Sequence, residues 1–253
     1  MTEARTAVNT PIPAKDRLII ALDVDSAEAA RRIVVETSEF AGAFKVGLQL
    51  FTTAGPDFVR ELCDSGRKIF LDLKFHDIPN TVAKAGIEAA RIGVWMFNVH
   101  AAGGNEMMKR VVSEVGNYCE NARILRPKII GVTVLTSSSD DALREIGIEA
   151  TADDQVARLS ALAKAAGLDG VVASAREAGS IRQSWGDDFL IVTPGIRPDN
   201  ASNDDQQRVM TPAEALRSGS DFLVVGRPIT ASQDMSAAAQ SILSEISSVL
   251  NEN

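Results

Sequence analysis

A chain of 253 residues, 45% hydrophobic and 24% charged, has globular composition and enough length to bury a full core without staples. Its formal charge of −8 disfavours a general nucleic-acid binder, because a phosphate backbone would be repelled, and an anionic small substrate would need a locally positive pocket. Cys63 and Cys119 have no CxxC partner, so they form no redox or metal motif and read as reduced thiols; no stretch approaches the length of a membrane span.

Residues 1–15 carry Thr, Pro and Ala but no apolar run of signal-peptide type, and read as a flexible leader ahead of one domain over 16–253. The cytoplasm is the expected location. From there, short apolar runs alternate with helical patterns. The runs are 17–22 (RLIIAL), 43–48 (AFKVGL), 68–73 (KIFLDL), 95–99 (WMFNV), 128–134 (KIIGVTV), 170–173 (GVVA), 189–192 (FLIV) and 221–225 (DFLVV). They are rich in Val, Ile, Leu and Phe without clean alternation, as strands buried on both faces are.

Helices are expected over 26–37, where Ser26 is a plausible N-cap, and over 80–92, 160–166, 211–218 and 236–250. Thr211, Pro212 and Glu214 have the spacing of a cap, an N1 proline and a capping-box acid. Eight strand–helix units in about 250 residues predict a closed (β/α)₈ barrel, an α/β fold of the TIM type in a single domain. An open doubly wound sheet is the structural alternative, but its first strand usually leads into a glycine-rich phosphate loop, and here it leads into Asp23, Val24 and Asp25. The polar stretch 194–207 (PGIRPDNASNDDQQ) follows the seventh strand and suits a lid.

In such a barrel the active site lies at the C-terminal strand ends. Asp23, Lys45, Asp72, Lys74, His76, Asp77, Asn98, His100, Thr133, Thr136, Ser174, Thr193, Arg197, Gly226 and Arg227 all fall there. Alternation puts Asp72 and Lys74 on one face and Leu71, Leu73 and Phe75 on the other. Burying the charged face under helices would be costly, so both residues are expected to line the barrel mouth. An alternating group of Lys45, Asp72, Lys74 and Asp77, which Asp23 can join, would be worth about 4 kcal/mol per adjacent pair before desolvation. A plain salt-bridge plug over the barrel top is the competing account of the same residues. Gly226 and Arg227, with Arg197 and Gln206 on the preceding loop, suit a phosphate: glycine admits close backbone approach and arginine offers a forked contact. A turn with a surface arginine is the plainer alternative.

The stretch 72–81 (DLKFHDIPNT) resembles the D-x-K-x-x-D-I-P-x-T signature of orotidine 5′-monophosphate decarboxylases. The first-strand Ala21-Leu22-Asp23, the second-strand Phe44-Lys45-Val46-Gly47, 132–137 (VTVLTS), 192–198 (VTPGIRP) and 225–230 (VGRPIT) are similar to the same family, in order, from about residue 17 to 246. The resemblance implies decarboxylation of orotidine 5′-monophosphate to UMP and CO₂, the last step of UMP synthesis, without metal or organic cofactor. It gives Lys74 the proton delivered to C6 and puts Asp72 against the departing carboxylate. Lys45 and Asp77 orient Lys74 and the ribose, Asp23 binds ribose, and Thr136 contacts the pyrimidine. Arg197, Gln206, Gly226 and Arg227 hold the phosphate. It further implies a homodimer in which Asp77 and Thr81 reach into the neighbour's site, with no nucleic-acid or membrane partner. His76 and His100 are given packing roles, as are Trp95, Met107 and Met108. A magnesium-dependent sugar-phosphate decarboxylase or aldolase of the same barrel type is the enzymatic alternative; it looks for an acidic ligand where Lys45 stands and lacks the continuation through Ile78, Pro79 and Thr81. A non-catalytic nucleotide binder would not need the charged group.

Overall fold

The computed structural model describes residues 11–198 and 210–252. A helical turn, α1 (Ala14–Arg17), leads into β1 (Leu18–Ala21). Then follow α2 (Ala27–Thr37), β2 (Ala43–Gly47), α3 (Leu48–Asp64), β3 (Ile69–Phe75), α4 (Pro79–Ile92), β4 (Met96–His100), α5 (Gly104–Ala122) and β5 (Lys128–Val132). The second half contains α6 (Asp140–Glu145), α7 (Ala152–Ala165), β6 (Gly170–Val172), α8 (Ala175–Trp185), β7 (Leu190–Thr193), α9 (Pro212–Arg217), β8 (Phe222–Val225), α10 (Arg227–Thr230) and α11 (Met235–Asn251). The strands pair in chain order, all parallel, and β8 closes on β1. Every strand C-terminus therefore opens on the same rim.

The strand pattern explains the closure. Ile19, Ala21, Ala43, Phe70, Met96, Ile130, Val192, Phe222 and Val224 form one apolar cluster, filling the barrel interior. The alternate residues Leu18, Ile20, Phe44, Ile69, Leu71, Phe97, Ile129, Val171, Ile191 and Leu223 belong to a second cluster, packed with the helices. Both faces of each strand are thus apolar, which removes the need for polar–apolar alternation. Burial of a side chain such as Phe70 contributes roughly 1.5–3 kcal/mol. The inward positions above this floor are Lys45, Asp72 and Asn98, so the interior changes from apolar to polar along β2, β3 and β4.

The caps follow their side chains. Ser26 Oγ accepts from the Ala29 N–H at 3.2 Å, and Thr211 and Glu214 form a reciprocal capping box at α9. Several helices go beyond the expected spans. α3, where no helix was expected, runs through Gly55 and Pro56; Gly55 adopts φ 72° and kinks the helix. α7 begins at Ala152 rather than near 160, because Thr151 caps it by accepting from the Asp154 N–H. Strand β5 stops at Val132, two residues short of the expected end, although Thr133 and Val134 stay buried and the Thr133 N–H still donates to the Val172 carbonyl at 3.4 Å.

Candidate active site

Strands β2 and β3, with Asp23 just past the end of β1, carry a continuous row of charge at the rim. Lys45 on β2 has its Nζ 2.8 Å from Asp23 Oδ1 and 3.3 Å from Asp72 Oδ2, and Lys74 Nζ lies 2.6 Å from Asp72 Oδ1. The order is Asp23–Lys45–Asp72–Lys74, each sign flanked by the other. The exposure of the side chains rises outward from Lys45 (10%) and Asp72 (13%) to Lys74 (28%) and Asp23 (59%). Gly47 leaves room for the row: a Cβ there would lie 3.2 Å from both Asp23 Oδ1 and Lys45 Nζ.

The electrostatics favour full ionisation of the inner pair. Burial alone would push the Lys45 ammonium down, but Asp72 and Asp23 outweigh it and hold it above the usual lysine range. Burial would likewise raise Asp72; Lys45, Lys74 and hydrogen bonds from Lys74 and Asn98 reverse that and hold it below the usual carboxylate range.

Strand β3 does not reach Lys74 by regular pairing. Leu71 is level with Phe97 and Phe75 with Val99, so the β3–β4 register shifts between them. Lys74 sits within this irregular stretch at φ 51°, a left-handed backbone that costs a non-glycine residue on the order of 1–2 kcal/mol. Leu71, Leu73 and Phe75 still belong to the outer cluster, as alternation requires.

Asp77 stands outside the row. It is exposed, and its Oδ1 accepts from the Ile78 N–H at 2.6 Å. Within one chain the fourth member of the group is therefore Asp23, and the expected Lys45–Asp72–Lys74–Asp77 quartet is not assembled; Asp77 lies past the strand, where the backbone turns into α4. Thr81, in the first turn of α4, is also exposed, as is Ile78 at 66%. His76 and His100 face each other with ring centroids 5.4 Å apart. Burial, then the neighbouring His76 and Lys74, push His100 below the usual histidine range.

Across the mouth, Arg197 follows β7 and is buried, its backbone N–H donating to the Met210 carbonyl at 3.1 Å. Gln206 lies outside the described residues. Gly226 and the exposed Arg227 follow β8, and Arg227 opens α10. A cleft of about 490 Å³ runs from Asp23, Lys45, Asp72 and Lys74 to Arg197, Gly226 and Arg227. A second chamber of about 180 Å³ adjoins it, sharing Lys45, Asp72 and Lys74 and continuing to half-buried Thr136 beside Val132, Val134 and Val172. The charged row is thus the common wall of an arginine-lined cleft and a mostly apolar chamber. Such a site suits a ligand with a small, weakly polar part at one end and an anionic group at the other.

Sequence reasoning found every residue of this row but assigned Asn98 and Gly47 no role of their own. Asn98 was visible as a polar residue at an inward position of β4; Gly47 was visible only as part of a motif.

A closed eight-stranded parallel barrel with a charged cleft at its C-terminal rim defines an enzyme of the (β/α)₈ class. Residues 16–242 match the model of the orotidine 5′-phosphate decarboxylase / HUMPS family, and the chain belongs to that family. It is 56% identical over 241 residues to the orotidine 5′-phosphate decarboxylase of Syntrophotalea carbinolica, covering 95% of this chain and 99% of that one. The corresponding protein of Moorella thermoacetica is 53% identical over 237 residues, covering 93% of this chain and 94% of its own. The crystal structure of orotidine 5′-phosphate decarboxylase from Lactobacillus acidophilus superposes with a TM-score of 0.80 at 40% identity, over 90% of this chain and 98% of that one.

Proposed function

We propose that this protein decarboxylates orotidine 5′-monophosphate to UMP and CO₂, with Lys74 as the acid and without a metal or organic cofactor. The observation that carries the reading is the Lys74 ammonium, 2.6 Å from Asp72 on the wall shared by the two chambers. The pyrimidine occupies the apolar chamber beside Thr136, and the phosphate lies toward Arg197, Gly226 and Arg227. Gln206 belongs to the same phosphate grip. Asp23 and Lys45 face the ribose between them.

The C6–carboxylate bond breaks, its electron pair stays on C6, and CO₂ leaves. The ring delocalises that pair poorly, so the step needs catalysis near the upper end of the enzymatic range, about 20 kcal/mol or more. A fixed ammonium at C6 stabilises the growing charge without reorganising, and then transfers its proton to C6. Lys74 regains a proton from solvent. Asp72 keeps Lys74 oriented and lies against the departing carboxylate. Phosphate binding, remote from C6, supplies energy that organises the site.

The magnesium-dependent alternative asks for an acidic ligand at position 45. Lys45 argues against it, since its ammonium already bridges Asp23 and Asp72. The reading extends to a cytoplasmic homodimer with Asp77 and Thr81 donated across the interface. Exposed Asp77, Ile78 and Thr81, side by side at the start of α4, support that arrangement. No helix among the described residues is long and apolar enough to cross a membrane.

The test is the fall in orotidine 5′-monophosphate absorbance with purified protein in excess chelator. Turnover unaffected by chelator is expected; turnover restored only by a divalent cation would favour the alternative. Mixing Lys74 and Asp77 variants tests the shared site, with partial recovery of activity expected once subunits exchange.

A further inference from the structure

We propose that Asn98 is a positioning residue for the reaction, fixing the Lys74 ammonium by holding both the Lys74 backbone and the Asp72 carboxylate. This rests on the reading of Lys74 as the acid.

The register explains why such a residue is needed. Between the matched pairs Leu71–Phe97 and Phe75–Val99, β3 spends four residue steps and β4 spends two, so β3 carries two extra residues opposite Asn98. A strand cannot bulge this far and keep its ladder, and the backbone groups inside the bulge need other partners. Asn98 supplies one: its Oδ1 accepts from the Lys74 N–H at 2.8 Å. Its Nδ2 donates to Asp72 Oδ1 at 2.6 Å. That oxygen is the one that receives the Lys74 ammonium, also at 2.6 Å. One carboxamide thus ties the two ends of the same lysine, directly at the backbone and through Asp72 at the side chain.

Its orientation has a single solution. The Lys74 N–H needs an acceptor and the ionised Asp72 needs a donor, so a flipped amide would satisfy neither. Asn98 is 1% exposed, which leaves water no access to replace either bond. Without it, the left-handed backbone of Lys74 loses the hydrogen bond that offsets its strain, and the ammonium is free to leave its aim. Asn98 borders neither cleft and need not touch the ligand.

The experiment compares wild type, Asn98→Ala and Asn98→Asp by steady-state kinetics with orotidine 5′-monophosphate, by UMP affinity and by melting temperature. A small displacement of a catalytic group costs about 10²-fold, and that loss is expected in kcat for Asn98→Ala. UMP affinity should stay within about threefold, because ground-state binding is left intact. Asn98→Asp is nearly isosteric and tests the hydrogen-bond pattern itself. At neutral pH its carboxylate opposes Asp72 and kcat falls as well. As pH drops and the pair shares a proton, an O–H donor toward Asp72 returns, and kcat should recover where the wild type shows no such rise. Should Asn98→Ala fail to fold, that pH-dependent recovery decides alone. A folded Asn98→Ala with wild-type kcat overturns the proposal, as does Asn98→Asp following the wild-type pH profile. A wild-type protein without turnover is a separate result, removing the decarboxylase reading beneath it.

Discussion

Lys45 and Asp72 lie within strands, and Lys74 lies in the bulged end of one, whereas Arg197, Gly226 and Arg227 all follow the ends of β7 and β8. The β2–β4 wall is largely buried, and its charges hold one another at hydrogen-bonding distance. The β7–β8 wall stands past the strand ends: Arg197 is buried on the segment after β7, while Arg227 opens the short α10 and is open to solvent. The difference matches the role proposed for each wall. A proton donor must be aimed to a fraction of an ångström, and strand residues braced by neighbours provide that. A phosphate group arrives from water and binds over a wider range of geometry, so arginines placed past the strand ends suffice.

Breaking the first wall should have the larger effect. Lys74→Ala is expected to lower kcat by on the order of 10⁴-fold or more, since it removes the fixed charge and, on the proposed mechanism, the proton source. UMP binding should persist, measured by calorimetry on the same preparation. A variant with near-normal kcat would show that the row is only a plug over the barrel top.

The next effect concerns stability. Asp72 has a depressed pKa, so its contribution is present above the unfolded carboxylate value and disappears as pH falls through the lower folded value. Lys45 is raised, so its contribution is present below the unfolded lysine value and disappears as pH rises through the higher folded one. Asp72→Asn should therefore destabilise the protein by about 3 kcal/mol across neutral pH, because Lys45 and Lys74 lose their shared anion. Urea unfolding at a series of pH values should show the gap to wild type beginning to close below the unfolded carboxylate value, about pH 4, and vanishing only once pH passes the lower folded value of Asp72. A gap independent of acid would mean that Asp72 is not held as an anion.

Breaking the second wall should cost less. Arg227→Ala is expected to reduce kcat/KM by roughly 10²-fold through loss of charge-assisted contact to phosphate. Melting temperature should barely move, because the side chain is exposed. Unchanged kcat/KM would take Arg227 out of the site.

The same contrast explains what was legible in the sequence. The strands were readable because the barrel buries both faces, leaving runs such as Leu18–Ala21 and Phe222–Val225 with no polar residue. Lys45, Asp72 and Lys74 were readable because charge inside such runs has few affordable positions. Helices were less so. No helix was expected over α3 or α5; α5 opens from the Gly103-Gly104 pair and α3 crosses Gly55-Pro56, residues of low helix propensity within segments that are nevertheless helical. The β3 bulge was not readable, because register depends on how β4 pairs with it. That hid the part proposed for Asn98, and it also put Asp77 in the charged group, with Asp23 only as an addition to it.

The most direct measurement is a crystal structure with UMP bound. The Lys74 Nζ should lie within about 3.5 Å of C6, with the phosphate beside Arg197 and Arg227. A nucleotide bound with C6 turned away from Lys74, or with its phosphate at the opposite wall, would contradict the account.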